Sequence, residues 1–462
     1  MKQFGFNHIR TSHNPYSNDL YRLCDELGIL VVDELYDKWT KQFAGGRTDW
    51  MNLWTRDIPE WVQRDRNHPC VVLWSLGNEL QQMSNLPFND WGVTAYRLQR
   101  DLLQRYDSTR LTTVAMHPRY RDLSTDSLPA PLARVTDIQS YNYRYMYFPG
   151  DSRRFPHMIF YQSEANMTGL PGNFFEMDLD RVVGLAYWGA IDYLGESRGW
   201  PLKGWADGFF DISLQPKPVA WLVRSMFLPD EPLVRLAIID HVASETEWNG
   251  IKFNNDQTSE HWNRQPGERL TLHTYTNADE VELIVNGKSL GRQHNPKDNP
   301  KHRNIITWQD VEYQPGYIEA VARTDGRVVA RYRSETTGPA VALRIEPDLS
   351  AVRSPDTGSA YWHADGQDLQ HVRITAVDKK GRRVPTASDD VVLSVSGPAR
   401  LVAVGNGNMA GNDVASQQHI HLYQGSALAI LRSTSEAGTV VLTAAAPSYR
   451  KQELKMKTYS KE

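Results

Sequence analysis

Two glutamates, Glu79 and Glu164, stand where carboxylates can do chemistry. Val71-Val72-Leu73-Trp74-Ser75-Leu76 runs into Gly77-Asn78-Glu79, and Met158-Ile159-Phe160-Tyr161-Gln162-Ser163 runs into Glu164. Each apolar run reads as a strand buried on both faces. A carboxylate ending such a strand needs a polar pocket or a reaction to serve, because burying it alone is costly. Singly, either glutamate could be a helix cap or half of an ion pair. Together, at matching strand ends, they suit a retaining glycosidase, with one carboxyl as acid and base and the other as nucleophile. An ionised Glu164 would help keep a proton on Glu79 by like-charge repulsion.

The elements that must position this pair alternate strand and helix up to about residue 232. Phe6–His13 is a short strand with a polar end. Asn18–Leu27 has helical spacing, with Leu20, Leu23, Cys24 and Leu27 on one side and Gly28 as its stop. Ile29–Val32 is a second buried strand, ending in Asp33 and Glu34. Helical patterns cover Trp54–Arg64 and Trp91–Tyr106. Further strands are expected at Leu111–Met116, at Thr136–Ser140 (ending in Tyr141-Asn142-Tyr143) and at Val182–Trp188 (ending near Asp192). With the two glutamate strands this makes seven, one short of an eight-stranded α/β barrel, each with its polar or aromatic cluster at the same end. If the missing strand is the first, Glu79 and Glu164 follow strands four and seven and face each other across the C-terminal mouth. Beyond residue 233 short alternating strands and turns such as Asn286-Gly287 and Asp325-Gly326 take over. Gly338-Pro339 marks a second boundary. The fold class is multidomain α/β plus all-β: an incomplete barrel over 1–232, then β-sandwiches over 233–339 and 340–462.

The totals limit the alternatives. The 462 residues suffice for two or three domains. A net charge of -4 gives no reason to propose nucleic acid, and no apolar run is long enough for a membrane span. Ten of the 14 tryptophans precede residue 233, where aromatic faces can line a sugar pocket as well as a core. Cys24 and Cys70 read as two buried free thiols. No clustered ligands argue for a metal, and no cofactor is expected. Met1–Gly5 does not read as a signal peptide.

The sequence resembles glycoside hydrolase family 2. The resemblance rests on Arg10-Thr11-Ser12-His13-Asn14-Pro15, Cys24-Asp25-Glu26-Leu27-Gly28, Asp33-Glu34, Arg66-Asn67-His68-Pro69, Trp74–Glu79 and the Trp188…Asp192–Glu196 segment. Glu282–Gly291 is similar to the accessory sandwiches of bacterial members. The family holds β-galactosidases, β-glucuronidases and β-mannosidases. The resemblance implies that Glu79 is the acid/base, that Glu164 is the nucleophile and that Asn78 bonds the sugar 2-hydroxyl. His13 looks like the sugar-binding histidine and Trp188 like the platform beneath the ring. Arg10 is expected to orient Glu164, with an ion pair to Asp33 or Glu34 as the alternative. Tyr143 could bond the nucleophile, Glu34 supports from behind, and Asp192 or Glu196 could grip a hydroxyl, although capping or ion pairing would equally explain each. His68 reads as structural.

Glucuronidases of this family carry an Asn-x-Lys pair after the last strand to hold the uronate. The corresponding segment here, Trp205-Ala206-Asp207, has Trp and Asp where Asn and Lys are needed. An aspartate would repel a uronate, which leaves a neutral sugar, with a β-galactoside expected ahead of a β-mannoside. The partner expected is an oligosaccharide or glycoside, with oligomeric state and localisation open, although relatives that degrade glycans are often exported. Met1–Asn7 looks like the end of a first barrel helix. The chain is therefore expected to be a fragment of a longer hydrolase, poorly stable and weakly active by itself. The contrasting expectation is an inactive carbohydrate-binding remnant.

Overall fold

The computed structural model describes residues 1–40, 48–80, 86–118, 121–122, 127–166, 169–197, 199–242, 246–248, 251–253, 256–348 and 362–460, with only the backbone of 246–248 and 251–253. Seven parallel strands form one curved sheet in chain order: β1 (His8–Arg10), β2 (Leu30–Glu34), β3 (Val71–Asn78), β4 (Leu111–Met116), β5 (Gln139–Asn142), β6 (Phe160–Ala165) and β7 (Val182–Tyr187). Helices α1 (Asn18–Leu27), α2 (Trp54–Asp65), α3 (Val93–Leu103), α4 (Phe148–Arg154), α5 (Leu170–Phe175) and α6 (Pro218–Phe227) complete the barrel part. The apolar runs are explained by burial on two sides. Val32, Leu73, Ile138 and Tyr161 fill the barrel interior. Ile58, Trp61, Trp74, Leu76, Tyr96 and Phe160 pack in the layer between sheet and helices. Each large side chain so buried contributes about 1.5–3 kcal/mol.

The barrel is nearly closed. Among the described residues β1 pairs only with β2, and β7 only with β6. An aromatic cluster bridges the two edges: Phe4 meets Phe210 at 5.0 Å, Phe6 meets Phe227 at 5.5 Å and Tyr187 meets Phe209 at 5.3 Å, each edge to face or close to it. His8 reaches the Tyr161 hydroxyl of β6 at 3.1 Å. Cys24 and Cys70 are both buried and free.

Two details differ from the sequence pattern. In α1, Tyr21 and Cys24 are buried while Leu23 and Leu27 are exposed. The Tyr21 hydroxyl donates to Asp33 Oδ1 at 2.8 Å, which fixes the rotation of the helix. Gly28 ends it in the left-handed region (φ 64), with its N–H donated to the Cys24 carbonyl. The third helix is shorter than its apolar pattern, because Gly92 at φ 79 precedes its first residue and Gln104 closes it.

Two sandwiches follow. The first stacks the sheet of Gln257–Ser259, Val234–His241, Arg269–Thr276 and Ile305–Glu312 on that of Lys288–His294, Glu280–Val285, Tyr317–Thr324 and Arg327–Glu335. Its turn residues Asn286, Gly287, Asp325 and Gly326 all have positive φ, as tight hairpins need. The second stacks Ala342–Pro347, Leu369–Val377, Ser426–Ser433 and Ala399–Gly405 on His419–His421, Asp390–Ser396, Gly438–Ala446 and Tyr449–Thr458.

The joint between the barrel and the first sandwich is polar and aromatic. The Arg235 guanidinium lies 3.7 Å from the Trp221 ring of α6 and 4.5 Å from the Tyr332 ring. The Asn277 amide donates to the carbonyls of Leu228, Pro229 and Glu231. Asn304 Nδ2 donates to the Ser225 carbonyl and hydroxyl, both at 3.1 Å.

Candidate active site

Parallel strands deliver their C-terminal residues to one rim, and the polar residues gather there. Glu164 is on β6, Glu79 directly follows β3, and Tyr143 directly follows β5. Glu79 (φ 49) and Tyr143 (φ 59) are both in the left-handed region. Such a backbone costs a residue with a side chain on the order of 1 kcal/mol or more and persists where the surroundings enforce it. Two residues before Glu79 the strand is closely packed: a Cβ on Gly77 would meet Trp39 Nε1 at 2.9 Å and Leu80 Cδ1 at 3.0 Å. The same Trp39 Nε1 donates to the Leu76 carbonyl at 2.7 Å.

Glu164 is held on both oxygens. Arg10 Nη1 donates to Oε1 at 2.8 Å, and the Tyr143 hydroxyl donates to Oε2 at 2.5 Å. Arg10 also forks onto Glu34, with Nη2 at 2.7 and 2.9 Å and Nε at 3.1 Å. The two readings for Arg10, orienting Glu164 and pairing with Glu34, therefore hold together. Glu34 accepts further from the Ser75 hydroxyl at 2.6 Å and faces His13 Nδ1 at 2.7 Å. With its acceptors so occupied, Glu34 braces Arg10 and His13. The other His13 nitrogen, Nε2, faces the Asn78 amide at 3.2 Å. Asn78 Oδ1 accepts from Arg10 Nη2 at 2.9 Å and from Asn142 Nδ2 at 3.0 Å, which fixes its amide orientation.

Burial works against the Arg10 charge, but Glu34 and Glu164 outweigh it and hold the guanidinium above its ordinary value. Burial and, more weakly, Glu79 push the Glu164 carboxyl up, while Arg10, His13 and the Tyr143 hydrogen bond pull it down. Burial, then Glu164, lifts the Tyr143 phenol well above its usual value, so it remains a donor. Glu79 has its own partners: His117 Nδ1 at 3.0 Å and Lys38 Nζ at 3.7 Å. The His117 and Tyr143 rings lie 5.4 Å apart, linking the two carboxylates round the mouth.

Trp188 stacks on His13 with ring centres 5.2 Å apart and planes within 4°. Its Nε1 donates to Glu196 at 3.2 Å, and the Tyr193 hydroxyl donates to the same carboxylate oxygen. Asp192 is placed differently from a rim acid open to a hydroxyl. It is buried, pairs with Lys217 Nζ at 2.7 Å and accepts the Gly208 N–H at 2.8 Å. The ion-pair reading fits it, and Glu196 alone of the two is exposed. A cavity of ≈ 1440 Å³ lies behind this rim, between barrel and sandwiches; Asp192, Trp205, Tyr332 and Met409 line it, but neither Glu79 nor Glu164 does.

Reasoning from sequence overlooked His117 and Lys38. His117 directly follows the Leu111–Met116 strand, so its position at a strand end was a usable signal. Lys38 lies in the segment after β2, where nothing in the sequence points at Glu79. Asp25, His68 and Cys70 also converge, with possible ligand atoms within 4.8 Å of one another. Each already has a partner: His68 Nδ1 faces Asp25 at 2.6 Å, the Cys70 N–H donates to Asp25 at 2.8 Å and its thiol donates to the Tyr21 carbonyl at 3.5 Å. They tie α1 to the start of β3.

A parallel barrel that brings two carboxylates to one rim, one of them clamped by arginine and tyrosine, has the layout that paired-carboxylate glycoside hydrolysis requires. Residues 1–148 match the model for the glycosyl hydrolases family 2 TIM barrel domain, and 356–455 that for the glycoside hydrolase family 2 C-terminal domain 5. Residues 267–330 match a domain of unknown function, DUF4982. A β-galactosidase of Bacteroides ovatus is 27% identical, over 99% of this chain and 58% of its own length. A putative β-glucuronidase of Formosa agariphila is 25% identical, over 88% of this chain and 40% of its own length. The crystal structure of a glycosyl hydrolase family 2 member from Bacteroides cellulosilyticus superposes with a TM-score of 0.87 at 28% identity, covering 100% of this chain and 59% of that one. The chain belongs to glycoside hydrolase family 2, and it spans somewhat over half the length of that curated β-galactosidase and that solved structure.

Proposed function

We propose that this chain carries the catalytic centre of a retaining, exo-acting β-glycosidase for terminal β-galactosides. The observation that carries the reading is the clamping of Glu164 by Arg10 and Tyr143, with Glu79 held separately by His117. Glu164 attacks the anomeric carbon while Glu79 gives its proton to the departing oxygen, and a covalent glycosyl ester forms. Glu79, now a carboxylate, takes a proton from water as that water displaces Glu164 from the sugar. Configuration is retained. Asn78 lies beside Glu164, bound to the same Arg10, and suits the 2-hydroxyl. His13, Trp188 and Glu196 suit the sugar ring and its other hydroxyls. Two observations favour a neutral sugar over a uronate. Asp207 stands where a uronate would need a cation. Lys217 is already engaged by Asp192 and the Ala206 carbonyl.

A panel of nitrophenyl β-glycosides tests the substrate, with the galactoside expected to turn over fastest; preference for the glucuronide would overturn this part. Proton NMR of the first-formed product tests retention. The expected roles give Glu164→Gln almost no turnover. Glu79→Ala should slow poor leaving groups most and recover partly with azide, because only the proton donor senses leaving-group basicity. Equal leaving-group dependence in the two variants would remove the assignment.

A further inference from the structure

The barrel segment beside the sugar-facing residues is held from outside the barrel. After β7 a two-stranded hairpin, β8 (Tyr193–Leu194) and β9 (Gly204–Trp205), pairs Tyr193 with Trp205 and Leu194 with Gly204. Its Tyr193 and the adjoining Glu196 join Trp188, which stacks on His13. Strands of two residues are too short to be stable alone. Their support comes from the loop 406–411 of the second sandwich. The Lys203 N–H donates to the Met409 carbonyl at 3.0 Å, and Lys203 Nζ donates to the Gly411 carbonyl. Met409 is buried, and its methyl is seated on Gly204: a Cβ there would meet Met409 Cε at 2.7 Å and the Tyr193 carbonyl oxygen at 2.0 Å. Gly407 lies so close to Asp211 that an added Cβ would meet the carboxylate at 2.4 Å. Farther along, Arg373 donates to the Ser213 carbonyl at 2.7 Å and hydroxyl at 3.1 Å. The fit of loop to hairpin therefore needs glycine at 204 and a flexible, buried methionine against it, while Gly407 lets the loop close on Asp211 beyond the hairpin.

We propose that Met409 and its loop are a positioning element for the sugar pocket. By seating the hairpin they fix where Glu196 and Trp188 meet a neutral hexopyranoside, and so set affinity for the terminal sugar without touching the bond that breaks. The inference rests on the glycosidase reading for its substrate, but not for the contact itself. Mere docking of the second sandwich would not distinguish binding from chemistry; a positioning role does.

The test compares Met409→Ala and Met409→Leu with the wild type in the full chain. Amide hydrogen exchange in β8 and β9 should quicken about tenfold in Met409→Ala, since the local opening energy falls. KM for nitrophenyl β-galactoside should rise about tenfold with kcat within about twofold, the mark of lost uniform binding. Met409→Leu, with similar volume, should restore both. Unchanged exchange overturns the proposal, as does quickened exchange with unchanged KM or a fall in kcat matching the rise in KM. A wild type that turns over no glycoside refutes the glycosidase reading instead, and the exchange comparison still decides whether Met409 seats the hairpin.

Discussion

Arg10 serves two buried carboxylates at once, and its removal would leave both without a cation. Its side chain and those of Glu34 and Glu164 are 3%, 0% and 5% exposed. Breaking a buried pair from one side costs about 3–5 kcal/mol, so Arg10→Met should lower the unfolding free energy extrapolated from urea denaturation by about that amount; a loss below about 1 kcal/mol would mean that water or His13 replaces the guanidinium. Asp33 offers a test by pH. Burial, and then Asp65, pushes its carboxyl up to about 8. The unfolded value is near 3.9, so the folded form keeps a proton that the unfolded chain releases. The stability this confers is full below about pH 4 and is lost as the pH rises towards about 8. Asp33→Asn should flatten that decline in melts recorded at about pH 5 and about pH 8, and an unchanged slope would assign it to another group. Residues at strand ends were legible in the sequence because strand direction alone brings Glu79, Glu164, Tyr143 and Arg10 to one rim. Asp192 was not, because its partner Lys217 is separated from it by a hairpin whose path no local pattern records.

At the scale of elements, β3 is tightly packed at its C-terminal end. Its Gly77 leaves no room for a Cβ against the Trp39 indole, and overpacking of this kind costs about 1–3 kcal/mol. Gly77→Ala should push Trp39 off the Leu76 carbonyl, lower the melting temperature and shift Glu79. Faster exchange of the Trp39 indole N–H would place the change at Trp39, whereas unaltered melting would show that the indole gives way freely. The strands themselves were legible because burial on two faces leaves continuous apolar runs. The rotation of α1 was not: its leucines at helical spacing suggest one face, but the Tyr21–Asp33 hydrogen bond selects another. The hairpin of β8 and β9 left no signal in the sequence, since its order comes from a loop some 200 residues away.

For the whole molecule, the seven-stranded sheet and both sandwiches were legible, because a change from helical spacing to short alternating strands marks where one layer type gives way to another. The contacts between them were not, since they join single side chains rather than patterns. The nearly closed barrel has a consequence for its motions. Among the described residues, backbone groups along one side of β1 and one side of β7 have no strand partner, so amides there should exchange roughly a hundredfold or more faster than those of β3. Equal protection in β1, β3 and β7 would show that the aromatic cluster of Phe4, Phe6 and Phe210 seals the edges as well as a strand would.

The joint at α6 bears on heredity. By chain order α6 belongs with the barrel, yet Trp221 lies under Arg235, and Ser225 is bonded by Asn304. A recombination crossover at residues 228–233 would inherit Trp221 and Ser225 from one parent and Arg235 and Asn304 from the other, so that these side-chain pairs need not match. Crossovers ahead of Pro218 or beyond Glu335 would keep them together. In shuffled libraries of such enzymes, α6 and the first sandwich should segregate as a single inherited block.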